Sequence, residues 1–185
     1  MNQEKWKLAR QSELIDGIAY YHIIFTVPDV LNVFFLANQK TMYDLLFKSA
    51  SQTLLTLSAD KQHLGARPGI ISVLHTWGQQ LNFHPHLHLA VSGGGLRKDG
   101  TFVETTHKGF FLPLPMVKKM FRGKFLAGFK LLYDTGQLTF PKSTVKLKNP
   151  NEWKAFINRL YEKDWCPFIK ETFNGHGNAL QYLAR

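Results

Sequence analysis

Residues 18–27 form a run of β-branched and aromatic side chains interrupted only by Ala19 and one histidine, and Pro28 stops the run, so the pattern predicts a buried strand. Between about 38 and 58 the spacing changes. Met42, Leu45, Leu46, Leu54 and Leu55 recur at three- and four-residue intervals with Ala50 among them, which predicts a helix capped by Asn38 or Thr41. Gly65 and Pro68-Gly69 break the chain. Residues 70–76 and 85–91 read as two further strands, joined as a hairpin through Gln79-Gln80-Leu81-Asn82. Gly93-Gly94-Gly95 is expected to end the third strand in a loop, and Lys98-Asp99-Gly100 to turn into a short strand, Phe102-Val103-Glu104.

In the second half, Pro115 suits the first turn of a helix whose apolar stripe is Val117, Met120, Phe121, Phe125 and Leu132, with Gly136 as its end. Residues 137–140 are expected to add a short strand. Asn149-Pro150-Asn151-Glu152 is a helix start, with an Asn cap, Pro next and Glu at the third position. Trp153, Phe156, Ile157, Leu160 and Tyr161 mark one face of that helix. Residues 164–170 read as a last strand, placed at a sheet edge by Pro167. A final helix is expected from about Asn178. The order predicts an α+β fold, an antiparallel sheet with helices packed on it in a split β-α-β arrangement. No internal repeat or low-complexity linker divides the chain, so residues 1–185 are expected to form one domain.

Composition narrows the classes. With 44% hydrophobic residues, including 15 Phe, 6 Tyr and 4 Trp, the chain carries enough apolar mass for a core, which excludes disorder as its dominant state. No apolar run approaches the roughly 18 residues a membrane span needs, and the polar start Met1-Asn2-Gln3-Glu4-Lys5-Trp6 is unlike a signal peptide. A cytoplasmic protein with no membrane partner is expected. The single cysteine, Cys166, excludes an internal disulfide and a cysteine-built zinc finger.

The net charge of +10 is unevenly spread. Residues 117–170 hold 12 basic and 4 acidic side chains, whereas residues 1–116 hold 10 and 8, so a one-sided cationic surface suited to a polyanion is expected.

The densest chemistry lies in His84-Pro85-His86-Leu87-His88. On a strand His86 and His88 share one face while Leu87 and Leu89 take the other. Two adjacent imidazoles are costly as cations and sensible as neutral ligands of one metal ion. A bare H-x-H on a half-exposed strand also describes two surface histidines, a reading against which His84 and the register-fixing apolar alternation weigh. A third ligand is open among Gln79, Gln80, His75 and Glu104, since a hard cation accepts an amide oxygen. Near the other end Tyr182 could attack a phosphodiester or simply pack, and Arg185 could hold a phosphate or stand in solvent.

The run Leu74-His75-Thr76-Trp77-Gly78-Gln79-Gln80-Leu81, followed by His84-Pro85-His86-Leu87-His88 and Gly93-Gly94-Gly95, resembles the two-tyrosine HUH transposases of rolling-circle insertion sequences. Phe25-Thr26-Val27-Pro28, Leu45-Leu46-Phe47-Lys48, Phe121-Arg122-Gly123-Lys124-Phe125 and Tyr182-Leu183-Ala184-Arg185 match in the family's order, so the resemblance covers nearly the whole chain. It implies an HUH-endonuclease-like fold and an enzyme that cuts single-stranded DNA, keeping the 5′ phosphate on a tyrosine. His86 and His88, with Gln79 preferred as third ligand, would hold Mg²⁺ or Mn²⁺. Tyr182 would be the nucleophile. Lys118, Lys119, Arg122, Lys124 and Arg185 would contact DNA at the ends of a mobile element in the bacterial nucleoid. The family's second tyrosine, four residues after the first, and its N-terminal cysteine-rich zinc module have no match here. The chain is therefore expected to be an incomplete transposase with weak or absent cleavage. The competing readings are a basic DNA-binding module without catalysis and an H-x-H metal-dependent hydrolase or cupin-like oxygenase.

Overall fold

The computed structural model describes residues 3–77, 82–105, 112–165 and 167–172. Among them, two short 3-10 turns aside, the helices and strands in order are α1 (Gln3–Gln11), β1 (Tyr20–Thr26), α2 (Asn32–Ala37), α3 (Gln39–Ser58), β2 (Arg67–Trp77), β3 (Phe83–Leu96), β4 (Phe102–Glu104), α4 (Leu114–Asp134), α5 (Pro150–Glu162) and β5 (Phe168–Thr172). The strands make one antiparallel sheet in the order β2-β3-β1-β5, with β4 added to the glycine end of β3. β1 and β2 both run antiparallel to β3, which lies between them, so they are parallel to each other and joined through α2 and α3. This is the expected split β-α-β arrangement within an α+β fold.

β1 reads as a nearly continuous apolar run because β3 and β5 cover its edges while packed side chains cover both faces, the main core on one and a smaller cluster on the other. Its odd-numbered residues Tyr21, Ile23 and Phe25 enter the main core with Leu87, Leu89 and Val91 of β3. Helices cover that face. α3 buries Met42, Leu45, Leu46, Ala50, Leu54 and Leu57 at helical spacing. α4 contributes Phe121, Phe125 and Phe129, and Phe121 meets Phe25 with ring centroids 4.6 Å apart. Trp165 fills the junction of these layers, and its buried indole N–H donates to the Leu160 carbonyl at 2.9 Å. The opposite face carries a smaller cluster, Ile18, Tyr20 and Ala90, against which Trp6 of α1 packs.

Several expectations are revised. Asn38 stands at the start of α3, but its amide pairs with the backbone of Thr139, accepting from the N–H at 2.7 Å and donating to the carbonyl at 3.0 Å. That side chain supplies the partner that residues 137–140 would have needed from a strand, and they form none. β3 runs through Gly93-Gly94-Gly95 to Leu96 instead of ending there. The glycines serve close approach: a Cβ on Gly95 would overlap the Arg67 carbonyl, and one on Gly94 the ring of Phe102. The register shift between Pro68 and Ile70 sits beside this crowded spot. α1 and α2 were not foreseen. Asn149 caps α5 as expected, accepting from the N–H groups of Asn151 and Glu152. β5 lies at the sheet's end, directly after Pro167. The final helix expected from Asn178 lies outside the described residues. Among the described residues no helix is long and apolar enough to cross a membrane.

Candidate metal centre

The sheet face opposite the main core collects histidines. Strand alternation puts His86 and His88 of β3 on it together, as the spacing requires. Antiparallel pairing sets His75 of β2 across from His86, and Val73 across from His88. On the other side Thr26 faces His86 and Ile24 faces His88. One ring nitrogen from each of His75, His86 and His88 lies within 4.8 Å of the other two. The ring centroids are 4.4 Å apart for His75 and His88, and 4.8 Å for His86 and His88. His75 also stacks on Trp77, the planes 2° from parallel.

The hydrogen bonds orient these rings for ligation. His86 Nδ1 is 2.7 Å from the His84 carbonyl oxygen, which can only accept, so Nδ1 carries the proton and Nε2 keeps its lone pair. His88 Nδ1 lies 2.9 Å from Nε2 of His22 on β1, so the two rings share a proton at that contact. Burial, reinforced by His75, His86 and His22 nearby, pulls His88 down to about 3. Burial also lowers His22 to about 4, with His75 and Lys170 adding to the effect. His86 is lowered by burial, partly offset by its bond to His84. At neutral pH these three imidazoles are uncharged, the form that binds a metal. The imidazoles of His75, His86 and His88 converge from two strands, the last two uncharged and His86 in a fixed tautomer, a donor set that fits a divalent cation.

The expected site residues divide as follows. His86 and His88 come together on one face. Of the candidate third ligands the structure brings in His75, while Glu104 pairs with Gly94, eight residues along β3 from His86 or roughly 26 Å. Gln79, Gln80, Tyr182 and Arg185 lie outside the described residues. The four basic residues of α4 sit on the helix side, across the sheet from the histidines, because α4 packs on Phe25 and not on Ile24. Lys118 forms an ion pair with Asp164. Arg122 donates to the Tyr161 carbonyl at 2.8 Å and lies over the Tyr161 ring. Lys119 is exposed, and Lys124 lines a cavity of about 500 Å³ with Lys40 and Lys48. His22 was missed, since within an apolar strand its position opposite Ala90 becomes informative only when the pairing of β1 with β3 is known.

The family described as "Putative transposase" (Y2_Tnp) matches residues 69–185, a stretch that contains all three clustered histidines. The chain belongs to this Y2-type transposase family. It is 38% identical over 181 residues to "Putative transposase y4qJ" of Sinorhizobium fredii. It is 29% identical over 186 residues to the transposase for insertion sequence element IS801 of Pseudomonas savastanoi pv. phaseolicola. Each alignment takes in 98% of this transposase chain, which spans 45% and 42% of the respective relatives. Among solved structures it is similar to a metal-bound conjugative relaxase TrwC in complex with oriT DNA, at 13% identity and a TM-score of 0.46, covering 62% of this chain and 44% of that one.

Proposed function

We propose that this chain is the catalytic unit of a transposase that cuts and rejoins single-stranded DNA through a phosphotyrosine, working in the cytoplasm at the ends of a mobile element. The supporting observation is the cluster of His75, His86 and His88 on the open face of the sheet in a member of a transposase family. In this reading the three histidines hold a divalent ion, Mg²⁺ or Mn²⁺, with His75 taking the third position in place of Gln79. Such an ion, when bound, supplies Lewis-acid polarisation of the scissile phosphate.

The chain's own groups do the rest. The His84 carbonyl fixes the His86 tautomer, and the apolar partners Val73 and Ile24 flank His88, so both rings are held before substrate arrives. Tyr182 is the proposed nucleophile. Its Oη attacks phosphorus, the bond to the 3′ oxygen breaks, and the tyrosine proton is balanced by the proton gained on the leaving 3′ hydroxyl. The 5′ phosphate stays on the tyrosine, so the bond energy is kept for rejoining and no water is consumed. Lys119, Lys124 and Arg185 are proposed phosphate contacts, together with Lys118 and Arg122 where their partners on the fold allow. The test is incubation with a labelled single-stranded oligonucleotide carrying the element's end, with and without Mn²⁺, followed by denaturing electrophoresis. A metal-dependent protein-linked band supports the reading. Cleavage to free ends with no linked protein favours the hydrolase alternative.

A further inference from the structure

The transposase motif leaves one buried histidine without a task. His22 is 7% exposed and His88 8%, and their rings lie nearly parallel, 5.1 Å apart and 19° from coplanar stacking. His22 Nε2 faces His88 Nδ1 at 2.9 Å. Two neutral imidazoles in that arrangement share a single proton along the line between them. If the proton is on His22 Nε2, then His88 accepts at Nδ1 and carries its own proton on Nε2, where no metal can bind. If it is on His88 Nδ1, then His88 Nε2 is unprotonated and able to act as a ligand beside His75 and His86, and His22 carries its proton on Nδ1.

We infer that His22 is the positioning residue of the metal centre: by accepting the His88 Nδ1 proton it selects the one tautomer of His88 that ligates. This inference rests on the metal-site reading above. The strand register supports it. His22 lies diagonal to His88, two residues along β1 from Ile24, and the pairing of β1 with both β3 and β5 holds its backbone on each side. A purely packing role would be served by any ring of similar size, whereas the positioning role needs an acceptor at the place of Nε2.

The experiment compares Mn²⁺ affinity of the wild-type chain, His22→Phe and His22→Gln, by calorimetry in the absence of DNA. Phe keeps the ring volume and removes the acceptor, while Gln keeps an acceptor at similar reach. His22→Phe should weaken Mn²⁺ binding about 10- to 100-fold, the range for loss of a partner behind a ligating histidine, and His22→Gln should restore most of it. Wild-type affinity in a folded His22→Phe protein overturns the inference and leaves the metal site standing. Failure of the wild-type chain to bind Mn²⁺ or Zn²⁺ overturns both. Should His22→Phe not fold, long-range ¹H–¹⁵N spectra of the Zn²⁺-loaded wild-type protein decide the matter. Protonated Nδ1 and metal-bound Nε2 on His88, with His22 protonated at Nδ1, support the assignment, and any other tautomer pair refutes it.

Discussion

Replacing His75 with alanine separates the histidine cluster of the structure from the ligand set that the linear motif suggests. His75 is half-buried near the end of β2, its ring faces the cluster, and its loss opens no core cavity. Apo stability should therefore change by less than about 1 kcal/mol. Metal affinity should fall by about 100-fold or more, because a three-imidazole site becomes a two-imidazole one. At a Mn²⁺ concentration of about 100 times the wild-type dissociation constant, binding stabilises the wild-type fold by roughly 2.7 kcal/mol. With affinity reduced 100-fold the same concentration gives only about 0.4 kcal/mol. For a chain of this size 1 kcal/mol moves the melting temperature by about 2–4 °C. Differential scanning fluorimetry with and without Mn²⁺ should thus show an upward shift of about 5–11 °C for the wild type and about 1–2 °C for His75→Ala. Gln79→Ala should keep the wild-type shift. A full shift in His75→Ala, with loss in Gln79→Ala, would refute the assignment of the third ligand.

Other outcomes follow from the same geometry. His22 and His88 have folded values of about 4 and about 3 against an ordinary 6.5, so the unfolded chain binds more protons below 6.5. The metal-free fold should be most stable above about pH 6.5 and lose on the order of 1–2 kcal/mol per histidine as the pH falls toward 4 and 3, after discounting for partial solvent screening; denaturant melts at stepped pH measure it. An acid-insensitive midpoint across that window would contradict the burial of these rings. Replacing Lys119 and Lys124, the two expected DNA contacts on α4 not tied to Asp164 or Tyr161, should flatten the salt dependence of single-stranded DNA binding by about 1.4 log units if each meets one phosphate. An unchanged slope would put the DNA wholly on the histidine face. Gly95→Ala should cost about 1–3 kcal/mol in chemical denaturation, since the added methyl meets the Arg67 backbone and not a movable side chain; a neutral result would show that the β2 bulge relaxes freely.

Much of this architecture is legible residue by residue. The alternation through His86, Leu87, His88 and Leu89 gives both the ligand face and the core face, and the heptad-like stripes of α3 and α4 announce the helix layer. Cross-strand register is harder to read. A local pattern says which side of its own strand a residue takes, and nothing in it says which residue of another strand lies opposite. His75 was therefore one of four candidates, ranked behind Gln79, until the pairing of β2 with β3 set it against His86. His22 was invisible for the same reason at greater chain distance. Asn38 misled because an Asn before a helix has a strong local use as a cap, while its tertiary partner is 101 residues away. The triple glycine looked like a loop because close backbone approach and positive φ draw on the same residue type.

The central claim is tested most directly by locating the covalent bond. The chain should be incubated with Mn²⁺ and a single-stranded oligonucleotide carrying the element's end. The linked DNA is then trimmed with nuclease and the protein mapped by tandem mass spectrometry. The account predicts a 5′-phosphonucleotide on Tyr182, however small its yield, absent without metal, in Tyr182→Phe and in His88→Ala. A modification on another residue, or an adduct that forms without metal, would contradict it.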